Sequence, residues 1–183
     1  VAFATMMIES EGIDAVKHTR IAKLAGCTRS LIYHYFPKRS DIFYAINVEF
    51  YRRLDGLMPV HDQLTAIREN LAGDKPGSLK LFELFIDLLD DGGWSSLILR
   101  TTPELSADFT NYVSTIHAEY EERWISVIGE RFKMSDVDRE LFFQHCINVA
   151  KSVFLFYRQG LLSKQEAVEK LDTTVNHLLK VHS

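Results

Sequence analysis

The sequence lacks a long apolar run and has few cysteines, and both features narrow the class of protein. A helix that spans a membrane needs about 18 or more consecutive apolar residues, and no such stretch is present. The two cysteines, Cys27 and Cys146, lie far apart and in no paired spacing, so the sequence predicts neither a disulfide framework nor a four-ligand zinc site. The stretch "VAFATMMIESEG" soon turns acidic and has no basic leader, which predicts a cytoplasmic location without membrane contact.

Motifs of catalytic sites are missing as well. The sequence shows no phosphate-binding loop, no nucleophile beside an acid–base pair and no metal ligands at a binding spacing. His145 and Cys146 have no possible ligand four residues further on, and the single pair of His117 and Glu121 does not complete such a site. We therefore expect no enzyme, no cofactor and no bound metal.

Helical periodicity is what the sequence does contain. Its 183 residues are 46% hydrophobic, which is ample for a packed core. Apolar residues recur at helical spacing through most of the chain, and neither strand alternation nor an internal repeat interrupts them. Glycine and proline separate the helical segments. The predicted class is all-α.

Charge is distributed unevenly along the chain. The net charge is −4, yet residues 1–58 hold eight Lys or Arg against six Asp or Glu. Residues 17–39 contain six cations and no carboxylate, and His18 and His34 lie among them. Such a basic segment is typical of a surface that binds a polyanion, although a solvated basic face is the alternative for a charge run alone.

Three short helices are predicted around this segment. Gly12 and Gly26 provide end signals for the first two, and Thr28 is a natural N-cap for the third. Two short helices joined by a tight, glycine-containing turn are the helix-turn-helix pattern, whose second helix enters the major groove of DNA. The residues that we expect to point inward are Phe3, Met6 and Met7, then Ile21, Leu24 and Ala25, then Leu31, Ile32 and Tyr35 or Phe36.

The stretch "GIDAVKHTRIAKLAGCTRSLIYHYFPKRSDI" resembles the DNA-binding domain of the TetR family of bacterial transcriptional regulators. The resemblance lies in the Ile-Ala pair before an Ala-Gly turn, in Tyr33 ahead of a Tyr-Phe pair, and in the basic residues that open the fourth helix. It extends from the start of the chain to the vicinity of Asp55. The family usually has a threonine near position 17 that caps the second helix, where this chain has Lys17. We expect Thr19 to take over as the N-cap of that helix.

The resemblance implies roles for the helix-turn-helix residues. Arg29, Ser30 and His34 would lie on the exposed side of the recognition helix, where an arginine can bind guanine O6 and N7 with two hydrogen bonds. The remaining candidates would bind phosphates through hydroxyls, cations and helix-start N–H groups; they are Tyr33, Thr28, Lys38, Arg39 and Thr19.

The fourth helix should run from about residue 38 to 58, with Pro59 ending it. Its apolar stripe is Ile42, Ile46, Phe50, Leu54 and Leu57. It would connect a helix-turn-helix domain at residues 1–45 to a C-terminal ligand-binding and dimerisation domain at residues 46–183. A shift at its C-terminal end would then move the recognition helix.

The apolar pattern of residues 141–158 predicts a helix whose apolar surface is larger than packing against one core requires. Its apolar residues cover about half of the circumference, whereas a single buried stripe takes about 100°. We expect one side to face its own core and the other a partner, although a central helix of a monomeric bundle is the alternative. The resemblance implies a homodimer through the last two helices, and the candidate interface residues are Phe142, Val149, Val153, Phe154, Tyr157, Leu171, Val175 and Leu178.

An effector pocket in the C-terminal helices is a further implication of the resemblance. Aromatic side chains and one histidine could line it for a small apolar or aromatic ligand, although aromatics at helical spacing also serve as ordinary core; the candidates are Phe85, Trp94, His117, Tyr120 and Trp124. The predicted function is a sequence-specific repressor that binds a palindromic DNA operator and is released by a small effector. The alternative is a regulator of the same type that a protein partner controls.

Overall fold

The computed structural model describes residues 1–57, 62, 65, 77–100 and 113–182. Regular structure within these residues is helical and includes no strand, so the predicted all-α class is confirmed. The helices are α1 (Ala2–Glu11), α2 (His18–Leu24), α3 (Arg29–Tyr35), α4 (Arg39–Leu57), α5 (Gly77–Leu88), α6 (Trp94–Arg100), α7 (Val113–Phe132), α8 (Asp136–Arg158) and α9 (Lys164–His182). A 3-10 turn, Ile13–Ala15, follows α1, and a kinked segment, Leu89–Gly93, joins α5 to α6; Asp91 and Gly92 in it have non-helical backbone angles.

The described chain forms two compact units. Unit one comprises Val1–Arg53 and Leu89–His117, and unit two comprises Leu54–Leu88 and Ala118–Ser183. Helix α4 thus begins in unit one and ends in unit two. The division by role, at residues 45 and 46, remains a prediction.

Unit one packs its short helices around an aliphatic core with one phenylalanine. Ala4, Met7 and Ile8 of α1 meet residues from α2, α3, α4 and α6 there; these are Ile21, Ala22, Ile32, Ile42, Phe43, Ile46 and Leu99. Burial of an aliphatic side chain of this size contributes about 1.5–3 kcal/mol. The helix-turn-helix is therefore held by α1 and α4 rather than by its own short helices.

The ends of the short helices follow the sequence signals closely. Gly12 and Gly26 adopt φ of 85° and 62° after α1 and α2. Glycine takes this conformation without a Cβ penalty. The Thr28 hydroxyl accepts a hydrogen bond from the Leu31 N–H at 3.2 Å. These three end signals are confirmed. The prediction that Thr19 caps α2 is wrong. The N-cap is Lys17, and the Lys17 side chain makes no capping hydrogen bond.

Several residues predicted to point inward lie at the surface instead. Ala4 and Ile8 share the buried face of α1 with Met7, and Ala22 rather than Ala25 joins Ile21 in the core. A short helix offers two neighbouring faces of similar apolarity, and the surrounding helices decide which one is buried. The predictions that are wrong for this reason are Phe3, Met6, Leu24, Ala25 and Leu31. Of the pair Tyr35 or Phe36, Phe36 packs against the core and Tyr35 is exposed.

Helix α4 matches its predicted stripe. Ile42, Ile46, Phe50 and Leu54 are all buried, whereas Leu57 in the last turn is exposed. Regular spacing over a long helix fixes its phase much better than spacing over two turns does. The predicted stop at Pro59 lies outside the described residues.

Unit two consists of the end of α4, α5, most of α7, and the long helices α8 and α9. Helix α9 packs against both α8 and α5. Serines cap both long helices: the Ser135 hydroxyl accepts from the Asp138 N–H, and the Ser163 hydroxyl accepts from the Glu166 N–H. Glu166 in turn accepts from the Ser163 backbone N–H at 2.7 Å. The two reciprocal bonds complete a capping box. The Ser163 backbone N–H and hydroxyl both donate to the Glu166 carboxylate, and these bonds lower the pKa of Glu166.

Candidate nucleic-acid interface

Helices α2 and α3 meet through a tight turn that sets the angle between them. Ala25 caps α2, Gly26 reverses the chain, and the Cys27 N–H donates to the Ala22 carbonyl at 3.0 Å. Thr28 then caps α3. Backbone and capping bonds therefore fix the turn, and the predicted helix-turn-helix is present in the structure.

Helix α3 presents a polar face on its exposed side. Ile32 is its buried residue, and it anchors the helix in the core of unit one. Arg29, Ser30 and His34 are all exposed, which is the placement that contact with base edges requires. Their part in base contact remains a prediction.

Tyr33 is held between two neighbouring side chains. Its ring stacks on His18 of α2 with centroids 4.2 Å apart and planes only 2° from parallel. The Arg29 guanidinium carbon lies 5.2 Å from the ring centroid, and its Nη2 donates a long 3.4 Å hydrogen bond to the Tyr33 hydroxyl. The hydroxyl therefore has its own proton left to donate, and phosphate oxygens are acceptors.

The two cations at the start of α4 differ in their surroundings. Lys38 is exposed, and its backbone N–H donates to the Asp41 carboxylate at 2.7 Å. Arg39 donates to the Ile13 carbonyl, lies 3.4 Å from an Asp14 oxygen and sits over the Phe43 ring. Asp41 offsets the unfavourable helix dipole at this end. Lys38 is thus the more accessible of the two predicted phosphate ligands.

Thr19 and Thr28, the other two predicted phosphate ligands, are both exposed. Thr28 Oγ1 already accepts the capping bond but keeps a proton to donate. Of the other cations, Arg20 is paired with Glu11 through two hydrogen bonds of 2.8 and 2.7 Å, which lowers the pKa of Glu11. Lys17 and Lys23 are exposed. The basic segment therefore keeps a positive surface. Fewer of its cations are unpaired than the count of cations in the sequence implies.

A comparison with protein families decides the class of this domain. Residues 1–46 match the family model of bacterial regulatory proteins, tetR family. The N-terminal domain belongs to the TetR family. The chain is accordingly a DNA-binding transcriptional regulator. No curated protein and no solved structure gives a significant match.

The TetR-family domain contains one residue of note that sequence reasoning did not assign to the site. His18 is buried, and its Nε2 donates to the Phe36 carbonyl at 2.8 Å, which joins the start of α2 to the end of α3. The separation of His18 and Tyr33 along the chain carries no local periodic signal. Only the packed helices reveal the contact.

The predicted effector residues fall in both compact units. Phe85, Tyr120 and Trp124 belong to unit two, and Trp94 belongs to unit one. Tyr120 and Trp94 are buried, whereas Phe85 and Trp124 are half-buried. His117 lies in α7, but its side chain is outside the described part of the structure. A pocket that includes them remains a prediction.

The predicted interface residues on α8 and α9 divide into two groups. The first group is buried within the protomer and includes Phe142, Phe154, Leu171 and Val175. The second group is partly exposed and includes Val149, Val153, Tyr157 and Leu178. Val149, Val153 and Leu178 line an open groove of about 430 Å³ together with His145, Asn148, Ser152 and Thr174.

Metal and thiol chemistry find little support in the described residues. No group of three or more His, Cys, Asp or Glu side chains within them could hold a metal ion. Burial raises the pKa of the Cys146 thiol to about 12, which favours the neutral thiol over the reactive thiolate. Across the same residues, no helix has the length and apolar character needed to cross a membrane.

Proposed function

We propose that the protein is a cytoplasmic, dimeric repressor that binds a palindromic operator through α3 and is released by a small effector. The observation that carries the DNA-binding part is the exposed polar face of α3, with Arg29 and Tyr33 side by side next to a basic segment. Arginine reads guanine through two hydrogen bonds, while tyrosine and lysine bind phosphates without regard to sequence.

A homodimer accounts for the groove between α8 and α9. Val149, Val153 and Leu178 offer apolar surface there, and polar Ser152 and Thr174 lie beside them. A second copy related by a two-fold axis would cover this groove with the same groove. Two α3 helices would then reach successive major grooves, about 34–36 Å apart.

Trp124 supports an effector site in unit two. Its ring lies 6.4 Å from Tyr120 and 6.1 Å from Phe143, centroid to centroid. Its indole N–H is buried and has no hydrogen-bond partner among the described residues. An unsatisfied buried donor costs about 1–3 kcal/mol, and a ligand with an acceptor atom would remove that cost. The proposed effector is therefore an aromatic or apolar molecule that carries one hydrogen-bond acceptor.

Release of DNA would require that the effector bind the non-operator state more tightly. Helix α4 provides the physical link, because it runs without interruption from the N-terminal domain into unit two. Within unit one, Arg53 of α4 donates to the Asp91 carbonyl at 3.0 Å and pairs with the Asp91 carboxylate. A coupling of about 1–3 kcal/mol between the two sites would weaken operator binding about 5- to 150-fold.

A thermal-shift screen of a metabolite library, followed by operator titration with each hit, tests this release mechanism. A ligand that binds the native state raises the melting temperature. The proposal expects a hit whose stabilising effect is lost in Trp124→Ala and which weakens operator binding. A hit that leaves operator affinity unchanged would contradict release by an effector. Operator binding that responds only to added protein fractions would favour control by a protein partner.

A further inference from the structure

The contact between His18 and Tyr33 joins α2 to α3 at the surface, outside the turn and in addition to their shared core. His18 is the first residue of α2, and Tyr33 lies in the second turn of α3. Parallel stacking at 4.2 Å leaves the tyrosine ring little freedom to tilt. The His18 hydrogen bond to the Phe36 carbonyl fixes the imidazole in turn. The tyrosine ring is therefore oriented by a side chain of α2 as well as by Arg29 of its own helix.

Arg29 takes its position from the same ring. Its guanidinium lies near the Tyr33 ring and donates to the Tyr33 hydroxyl. A change in the tilt of Tyr33 would thus move the hydroxyl and the guanidinium together. One of these groups is assigned to a phosphate and the other to a base, so their relative position determines whether both contacts form at once.

We propose that His18 is a positioning residue for DNA recognition, which sets the orientation of Tyr33 and, through Tyr33, that of Arg29. This inference rests on the proposed role of α3 in DNA recognition. His18 itself is buried and needs no contact with DNA. Loss of His18 should mainly reduce discrimination between DNA sequences, because non-specific binding depends on charge and not on the orientation of one side chain.

A purely structural role is the alternative that the experiment has to separate. His18 is buried beside the core of unit one, so its loss would also lower stability. Ile21, one helical turn further along α2, is buried in the same core and is not part of the ring stack. Ile21→Ala is therefore a matched control that destabilises the domain without removing the stack.

The test compares wild type, His18→Leu, His18→Phe and Ile21→Ala in the full chain. Each is titrated with the selected operator and with random duplex at a temperature where its circular dichroism shows a folded protein. We expect His18→Leu to weaken operator binding by about 3- to 10-fold, with a smaller change on random duplex. His18→Phe keeps a ring on Tyr33 and should restore most of the discrimination, while Ile21→Ala should retain it in full.

A double variant checks that His18 acts through Tyr33. In Tyr33→Ala, the further change His18→Leu should have little additional effect on operator affinity. His18→Gln replaces His18→Leu if the leucine variant does not fold, since it keeps an N–H donor but removes the ring.

The outcomes distinguish this inference from the assignment of α3. Equal losses on operator and random duplex, or a loss that persists in Tyr33→Ala, would overturn the positioning role. If Arg29→Ala relaxes sequence preference while both His18→Leu and His18→Gln leave it unchanged, only the role of His18 is wrong. If wild type shows no preference for any sequence, the proposed function fails instead.

Discussion

Arg29 and Lys38 illustrate how two cations of the proposed DNA interface could have different tasks. Arg29 lies on the exposed face of α3 against Tyr33, whereas Lys38 lies at the start of α4, where its backbone N–H is bonded to Asp41. A side chain on the recognition helix can reach base edges. A lysine at a helix start is placed for a phosphate.

We therefore predict different losses for the two alanine variants. Arg29→Ala should weaken the preferred operator by about 1–3 kcal/mol and relax preference at one base position. Lys38→Ala should weaken all sequences similarly and reduce the salt slope by about one. Fluorescence anisotropy with operator and random duplex at several salt concentrations measures both effects. Equal behaviour of the two variants would refute this division of roles.

Glu166 gives a pH-dependent prediction for a single carboxylate. Hydrogen bonds from Ser163 lower its pKa in the folded state, so its contribution to stability is present above the ordinary glutamate pKa. That contribution is lost as the pH falls through the lowered pKa. We expect Glu166→Ala to reduce the melting temperature at neutral pH, and the difference from wild type to shrink in acid.

Melting curves from neutral pH to acid check the Glu166 prediction. Glu122→Ala is the matched control, since Glu122 is an exposed carboxylate in α7. A deficit in Glu166→Ala that stays constant over the whole range would show that the capping charge is not responsible.

At the scale of helices, length governs what the sequence could predict. In α4 the residues Ile42, Ile46, Phe50 and Leu54 specify one buried face over several turns, and all four are buried. In α3 the run of Leu31, Ile32 and Tyr35 permits more than one face, and only the packing of neighbouring helices selects Ile32. Cap residues such as Thr28 were predictable because their hydrogen bonds are local.

The candidate DNA-binding surface was predictable from the sequence only in part. The resemblance to the TetR family implied the exposure of Arg29 and His34, and both are exposed in the structure. The contacts of Arg39 with the Ile13 carbonyl and of His18 with Tyr33 join segments distant in sequence, so no local pattern indicates them.

The segment between α5 and α6 supplies a prediction about a backbone conformation. Gly92 has φ of 90° and ψ of 9°. This left-handed conformation costs other residues about 1–2 kcal/mol. A Cβ at this position would also lie 3.3 Å from Thr5 Cγ2. We expect Gly92→Ala to destabilise the protein by about 1–2 kcal/mol in chemical denaturation.

Gly56→Ala is the matched control for this prediction. Gly56 lies inside α4, and a Cβ there would meet nothing within 4 Å. Alanine is better than glycine inside a helix by about 0.5–1 kcal/mol, so this variant should gain stability. Two alanine variants with the same sign of effect would contradict the backbone explanation.

At the scale of the whole molecule, assembly determines how many recognition helices meet the DNA. Phe154 is fully buried, so its replacement would damage the protomer core and not the interface alone. Val153 and Leu178 line the groove and are half-exposed, which makes them better probes. We predict that Val153→Glu combined with Leu178→Glu gives a folded monomer.

Sedimentation velocity at micromolar concentration measures this outcome. Leu161→Glu is the control, because Leu161 is 65% exposed and does not line the groove. It should leave the dimer intact. A wild-type monomer, or a double variant that remains dimeric, would refute the proposed interface.

Selection of binding sites from random duplex DNA tests the central claim most directly. The account predicts that wild type enriches an inverted repeat whose half-sites lie one helical turn, about 34–36 Å, apart or a multiple of it. Arg29→Ala, selected in parallel, should lose preference at one position in each half-site. Enrichment of no sequence by the wild-type protein, or the same sequence at unchanged strength with Arg29→Ala, would contradict recognition through α3.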